Sequence, residues 1–185
     1  MNLFINFYDL AATKLIKGVT YKGGMTKNMN SEPISKILPV GNQSGIRFKG
    51  NIERPDVVVL YSNFNETEWP DVIENDLLTY YGDNRSSKFD IHDRQGNKVL
   101  RSIFLNYYSS GGVSFPNIFL FSKGNEGYDR VFLGLLRPGH VSLKKHEELL
   151  AVWTNKNDNN FQNYKASFTL LPVEIIERNE FIKQY

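Results

Sequence analysis

Alternation of apolar and polar residues along the chain predicts a protein built mainly from β-strands. The clearest segment is residues 56–61, a β-branched run after Pro55 that is typical of a largely buried strand. Further strands are predicted at residues 77–81, 117–121, 130–136 and 164–170. Turn residues separate these segments, which favours a twisted or barrel-like sheet over parallel βαβ units.

Helices are few in the same pattern. Residues 98–108 carry apolar side chains at three- and four-residue spacing, and the glycines at 111 and 112 end the segment, so we predict a helix there. A second, shorter helix is predicted to start at Ser142 and to cover residues 143–149. The chain is then expected to continue as a strand over residues 150–153.

The stretch from Gly18 to Gly50 is rich in Gly, Asn, Ser and Lys and is predicted to be dominated by loops. One short element is expected inside it, at residues 34–38. No repeat, low-complexity tract or linker divides the sequence, so we predict one domain over residues 1–185. The predicted class is α+β with a β-rich core.

Composition narrows the function only a little. The chain has 185 residues and a formal net charge of +2, which is too small to indicate a nucleic-acid partner by itself. The absence of cysteine excludes disulfides, zinc–thiolate sites and cysteine nucleophiles. No signal peptide and no apolar run of membrane-spanning length is present. We therefore expect a soluble cytoplasmic protein with no membrane partner.

Motifs for catalysis are missing from the sequence. A nuclease of the PD-(D/E)xK kind needs a Lys two residues after a metal-binding carboxylate, and no Asp, Glu or Gln of this chain has one. His92, His140 and His146 lack metal-ligand spacing, and no glycine-rich stretch matches a phosphate-binding loop. The sequence predicts no catalytic residue, no metal and no cofactor in this domain.

One stretch has the residue types that a pocket for an extruded base requires. Asp71 could accept a hydrogen bond from the exocyclic amine of cytosine, and Trp69 and Tyr80 offer aromatic faces for stacking. Tyr81 would point to the opposite face if this segment is a strand. The alternative is that the aromatics belong to the core and that Asp71 caps a turn after Pro70. Residue types alone leave both interpretations open.

Several short motifs in a fixed order resemble the N-terminal domain of AspBHI-type modification-dependent restriction endonucleases. They include Ile46-Arg47-Phe48-Lys49-Gly50, Glu68-Trp69-Pro70-Asp71, Thr79-Tyr80-Tyr81-Gly82-Asp83-Asn84-Arg85, His92-Asp93, Gly96-Asn97 and Phe161-Gln162-Asn163-Tyr164. The resemblance extends over about residues 9–173. It implies a fold similar to the SET- and RING-associated (SRA) domain, a curved β-barrel that flips 5-methylcytosine out of duplex DNA.

The resemblance also implies roles for individual residues. The SRA pattern has an acid nine residues before a strand tyrosine, which corresponds to Asp71 and Tyr80. By this correspondence Asp71 binds the Watson–Crick edge of the cytosine and Tyr80 stacks on it. The second SRA stacking aromatic would fall on Glu68, so its assignment to the neighbouring Trp69 departs from the pattern, as does Leu78 where the pattern has Phe.

Affinity for DNA would have to come from locally clustered cations, because the net charge is small. The cations that flank the proposed pocket in sequence are predicted to contact the DNA backbone: Arg47, Lys49, Arg85, Lys88, Arg94 and Lys98.

Three functions remain open at this stage. The chain could be the reader of modified cytosine in double-stranded DNA, with a nuclease domain expected C-terminal to it in the parent protein. It could read another mark, such as hydroxymethylated or glucosylated cytosine or a modified backbone. It could also bind a small ligand or a protein through the aromatic pocket, in which case no salt-dependent DNA binding is expected.

Overall fold

Twelve strands and three α-helices form within the described residues 3–26, 28–42, 44–156 and 159–181 of the computed structural model. The strands are β1 (Phe4–Ile5), β2 (Leu15–Ile16), β3 (Thr20–Tyr21), β4 (Ile46–Asn51), β5 (Arg54–Ser62), β6 (Val72–Glu74), β7 (Leu77–Tyr81), β8 (Asn117–Lys123), β9 (Arg130–Pro138), β10 (Leu149–Lys156), β11 (Asn159–Leu170) and β12 (Ile175–Ile176). The helices are α1 (Ile34–Ile37), α2 (Gln95–Ser109) and α3 (Arg178–Phe181), with 3₁₀ turns at Phe7–Ala12, Met29–Ser31 and Lys145–Glu147.

Ten of these strands share one sheet, whose main path runs β4-β5-β8-β9-β11-β7-β6. Neighbours are antiparallel except for β5 with β8 and β1 with β3, while β2 and β12 form a separate pair. In the described part of the chain no ladder joins β4 to β6, so hydrogen bonds do not close the sheet into a barrel.

The sheet is nevertheless curved enough to bring distant strands together. Three strands separate β5 from β7 along the sheet, yet the Tyr80 hydroxyl on β7 donates a hydrogen bond of 3.1 Å to the Tyr61 carbonyl on β5. The ends of the two strands therefore meet across the gap in the sheet.

Both faces of the sheet are buried, which explains the uninterrupted apolar run of β5. Val58 and Leu60 enter a helix-side core. It is formed by residues of α2, among them Phe104, together with Leu78, Phe168 and their neighbours. Val57 and Val59 enter an N-terminal-side core, formed by residues of the first 40 positions with β8, β9 and β12. Strands buried on both faces lose the alternation of polar residues.

The structure confirms most of the predicted elements. All six predicted strands are present, the helix predicted at 98–108 is α2, and the short element at 34–38 is α1. The predicted β-rich α+β class is confirmed. The loop-dominated segment from Gly18 to Gly50 also contains β3 and most of β4, which the sequence pattern did not predict.

The prediction of a helix at residues 143–149 is wrong. Only one 3₁₀ turn forms there, where the Lys144 amide donates to the Glu147 carboxylate at 2.8 Å. From Leu149 onwards the chain pairs with β11 in a ladder that begins opposite Ala166. The ladder pairs eight residues of β10 with β11, and it outweighs a weak local helical tendency.

None of the helices in the described ranges is long and apolar enough to cross a membrane.

Candidate functional site

A cavity of about 360 Å³ opens where the ends of β4, β5 and β7 meet. It contains the Asp71 carboxylate and is lined by four tyrosines, Tyr61, Tyr80, Tyr81 and Tyr128. We call it the base pocket. Its size lies within the usual range for small-ligand sites.

Asp71 is held at the edge of the sheet, just before β6. The backbone amide of Tyr81 donates a 2.8 Å hydrogen bond to Oδ1, and the Ser62 hydroxyl also donates to the carboxylate. Burial raises the pKa of Asp71 to about 6, although these hydrogen bonds and the charge of Arg85 act in the opposite direction. The carboxylate is therefore partly desolvated and already oriented, as a group that must accept a ligand hydrogen bond requires.

The two tyrosines of β7 point to opposite faces, as predicted for a strand. Tyr80 lies in the helix-side core, and burial raises the pKa of its hydroxyl well above the usual range, so the group remains a proton donor. Its hydroxyl reaches the base pocket beside Gly45. Tyr81 is half-buried on the other face and also lines the pocket.

Trp69 is close to the pocket but does not line it. Its ring is buried against Tyr81, with ring centroids 5.2 Å apart, and against Phe161 at 6.0 Å. In this position Trp69 supports Tyr81 from behind. The prediction that Trp69 stacks directly on a base is therefore not favoured by its placement, whereas Asp71, Tyr80 and Tyr81 do come together.

Three buried asparagines hold the turn that follows β7. Asn163 donates to the Gly82 carbonyl at 2.9 Å, Asn97 accepts from the Asp83 amide at 3.1 Å, and Asn84 donates to the Gln162 carbonyl at 2.9 Å. The approach at Gly82 is so close that a Cβ there would collide with the Asn97 side chain. These contacts join β7, α2 and β11. They bring together motifs of the family resemblance that are distant in sequence.

The same turn also caps α2. The Asp83 carboxylate accepts hydrogen bonds from the Gly96 and Asn97 amides, each at 2.9 Å, at the positive end of the helix. Residues on the rim of the pocket are in this way fixed to the longest helix.

A buried ion cluster forms part of the wall of the pocket. Glu32 accepts from Arg47 Nη1 at 2.8 Å and from Arg130 Nε at 3.2 Å. Both guanidinium groups lie near the ring of Tyr61, at 5.8 Å for Arg47 and 4.7 Å for Arg130. Arg47 is therefore a buried pocket residue and not an outer-surface cation, and its contact with the DNA backbone stays a prediction.

The remaining predicted backbone cations lie in different surroundings. Lys49, Lys88 and Lys98 are exposed. Arg85 is at the mouth of the base pocket, 3.6 Å from Glu66, while the Arg94 guanidinium lies 4.4 Å from the centre of the Phe89 ring. For these five residues, too, contact with the DNA backbone stays a prediction.

Several pocket residues were not singled out from the sequence. They are Glu32, Tyr61, Ser62, Tyr128 and Arg130, which come from three separate segments of the chain. Tyr61 and Ser62 interrupt the apolar run of β5 at its end, and this was the only local signal among them. In the described segments, no group of three or more His, Asp or Glu side chains is placed to hold a metal ion.

Comparison with known proteins identifies the family. The family model described as restriction endonuclease AspBHI N-terminal matches residues 15–184. The chain belongs to this family. The resemblance inferred from the short motifs is thus confirmed.

Solved structures agree with this assignment. The DNA recognition domain of the cytosine modification-dependent restriction endonuclease LpnPI is 34% identical with a TM-score of 0.91, covering 97% of this chain and 83% of that one. The DNA modification-dependent restriction endonuclease AspBHI is 36% identical with a TM-score of 0.87, covering 95% of this chain and 46% of that one. This AspBHI-family chain thus spans less than half of the AspBHI chain.

A more distant match shares the fold alone. The MspJI restriction endonuclease in complex with an oligonucleotide is 16% identical, with a TM-score of 0.56 over 87% of this chain and 42% of that one. A search among curated proteins returned no significant match.

Proposed function

We propose that this AspBHI-family domain recognises modified cytosine, with 5-methylcytosine as the favoured mark, in double-stranded DNA by binding the flipped base in the base pocket. The observation that carries this proposal is Asp71, a desolvated carboxylate fixed by the Tyr81 amide at the floor of a tyrosine-lined cavity. The DNA recognition domain of LpnPI, with its high structural similarity, supports the same function.

The pocket offers the chemistry that a flipped cytosine needs. Asp71 accepts a hydrogen bond from the exocyclic amine, and the neighbouring tyrosine rings provide apolar contact with the base. Flipping costs a few kcal/mol, which these contacts have to offset. A methyl group adds less than about 1 kcal/mol of burial unless it fills an existing hole, so discrimination by the methyl alone is modest.

In the parent protein, this domain would act as the specificity module of a modification-dependent restriction endonuclease. Cleavage is assigned to a separate C-terminal nuclease domain. The length of the AspBHI chain, of which this chain covers 46%, supports such an arrangement.

Binding to matched duplexes tests the proposal. Fluorescence anisotropy would compare duplexes that carry cytosine, 5-methylcytosine or 5-hydroxymethylcytosine, at two salt concentrations, for the wild type and Asp71→Ala. We expect a modest preference for a modified duplex. Asp71→Ala should weaken binding of that duplex by about 10- to 100-fold and remove the preference, because a hydrogen bond to a charged acceptor is lost. Glu74→Gln, which alters an exposed carboxylate on β6, should bind like the wild type.

Other results would point to other functions. Stronger binding of the 5-hydroxymethylcytosine duplex would move the favoured mark to a larger substituent. Binding that ignores both the modification and Asp71→Ala would contradict a flipped-base pocket. A complete lack of salt-dependent DNA binding would favour a protein or small-molecule ligand.

A further inference from the structure

Part of the wall of the base pocket, formed by Glu32, Arg47 and Arg130, is a buried cluster with more cationic than anionic groups. The three residues are only 1%, 5% and 7% exposed, respectively. One carboxylate faces two guanidinium groups, so the cluster has a formal charge of +1. Burying a charge without a counterion is costly, and such a site favours an anionic partner.

The acids nearest the cluster are engaged by other partners. The carboxylate of Asp129, adjacent to Arg130, is engaged by Lys22 Nζ at 2.9 Å and by the Gly23 amide at 2.9 Å. Glu66, on the opposite rim, is 3.6 Å from Arg85. Both acids thus have cationic neighbours of their own. Asp71 and Asp83, which also line the pocket, accept hydrogen bonds from the Tyr81 amide and from the amides of α2.

The two guanidinium groups also keep donors to spare. Arg47 uses Nε for the Ser44 carbonyl and Nη1 for Glu32, while Arg130 uses Nε for Glu32 and Nη1 for the Asp129 carbonyl. For the Nη2 groups of both residues, no acceptor occurs among the described residues. Both side chains line the pocket, so these donors are available to a bound molecule.

The donors are held in position before any ligand arrives. Glu32 fixes both guanidinium groups from one side, and the Tyr61 ring lies within 4.7 Å of Arg130 and 5.8 Å of Arg47. Planar guanidinium groups fixed in this way suit two-point binding of phosphate or carboxylate oxygens.

We infer that Arg47 and Arg130 form an oxyanion-binding subsite in the wall of the base pocket, occupied by an acidic group of the flipped nucleotide. The inference rests on the proposed function, because the ligand is the nucleotide whose base contacts Asp71. The acidic group is either a phosphate next to that nucleotide or a carboxyl group on C5 of the cytosine. The two sources share the same oxyanion chemistry and can be separated by experiment.

The test uses a thermodynamic cycle between protein and DNA. Neutral methylphosphonate replaces one or the other phosphate that flanks the modified cytosine, and binding is measured for the wild type, Arg130→Lys and Arg47→Lys. Lysine keeps the positive charge for Glu32 but lacks the second donor arm. If the phosphate is the ligand, one of the two methylphosphonate duplexes should bind the wild type about tenfold more weakly than the unmodified backbone does. On that duplex, the lysine variants should bind almost as well as the wild type, because the contact is already lost.

Lys88→Gln is the matched control, because Lys88 is an exposed cation elsewhere on the surface. Its effect should simply add to that of the methylphosphonate. Unchanged circular dichroism and thermal midpoints establish that the variants fold. If Arg130→Lys does not fold, Arg47→Lys completes the same cycle.

A second arm tests the carboxyl source with a 5-carboxylcytosine duplex. If that carboxyl is the ligand, the wild type should prefer this duplex to the 5-methylcytosine duplex, and the lysine variants should reverse the preference. The subsite would be overturned by two results together: the effects of methylphosphonate and of the lysine substitutions on binding simply add, and the wild type shows no preference for the 5-carboxylcytosine duplex. Failure of the proposed function is seen separately, as binding that ignores modification and Asp71→Ala.

Discussion

At the scale of single residues, Asp71 is the polar centre of the site, and the aromatic residues near it differ in what they contact. Asp71 and Tyr80 stand at a spacing that a family pattern supplies, and the structure does bring them to one cavity. Trp69 is adjacent in sequence, yet it packs behind Tyr81. Whether an aromatic residue lines a pocket or supports it depends on its tertiary neighbours, which residue type does not encode.

Asp71 should make the protein less stable as the pH rises. Because its pKa rises to about 6 on folding, the folded state keeps a proton between about pH 4 and 6 that the unfolded state releases. The contribution of Asp71 to stability therefore falls across this window, by up to about 3 kcal/mol, and the loss is complete above the folded-state pKa. Asp71→Asn removes the titration, so the variant should exceed the wild type in stability at pH 7.5 and not at pH 4.

Urea unfolding of both proteins at the two pH values measures this difference. Glu74→Gln, at an exposed carboxylate, provides the control and should show no such pH-dependent gain. A wild type as stable as Asp71→Asn at pH 7.5 would mean that the carboxylate is not desolvated in the folded protein.

At the scale of secondary structure, local periodicity was enough for α2 and for the longer central strands, but not for the short strands or for the turn after Ser142. There a short capped turn imitates the start of a helix, while Leu149 and the following residues are committed to pairing with β11. The buried asparagine contacts were also beyond prediction, because Asn84, Asn97 and Asn163 are far apart in sequence. Their meeting is a property of the folded chain.

Asn97 should be far more important to stability than another asparagine of the same helix. Its side chain accepts from the Asp83 amide and donates to the Ile91 carbonyl at 2.8 Å, and both contacts are shielded from water. Asn97→Ala leaves these groups without partners, at a cost of about 2–4 kcal/mol. Asn106→Ala removes an exposed 2.7 Å bond to the Glu53 carbonyl and should cost less than about 1 kcal/mol. Equal shifts of the urea midpoint would contradict the role assigned to the network.

At the scale of the whole molecule, the buried ion cluster connects three parts of the chain. Glu32 lies in the N-terminal segment, Arg47 on β4 and Arg130 on β9. No local pattern indicated this connection, because the partners of a buried ion pair can come from any distance along the chain.

Removing the shared carboxylate should destabilise the fold strongly. Glu32→Gln leaves two guanidinium groups buried without a counterion, which costs about 3–5 kcal/mol. Glu174→Gln breaks an exposed pair with Lys17 and should cost less than about 1 kcal/mol. Thermal unfolding of the two variants at the same pH distinguishes them, and similar midpoints would show that the cluster is not an essential connection.

The position of the sheet between two cores predicts how the molecule unfolds. Val58 and Val59 are adjacent on β5 and fully buried, but Val58 packs in the helix-side core and Val59 in the N-terminal-side core. Because β5 belongs to both cores, neither should unfold without the other, and Val58→Ala and Val59→Ala should each cost about 2–3 kcal/mol. Hydrogen exchange of the slowest α2 amides should accelerate equally in the two variants, although Val59 faces away from α2. Acceleration in Val58→Ala alone would mean that the cores unfold independently.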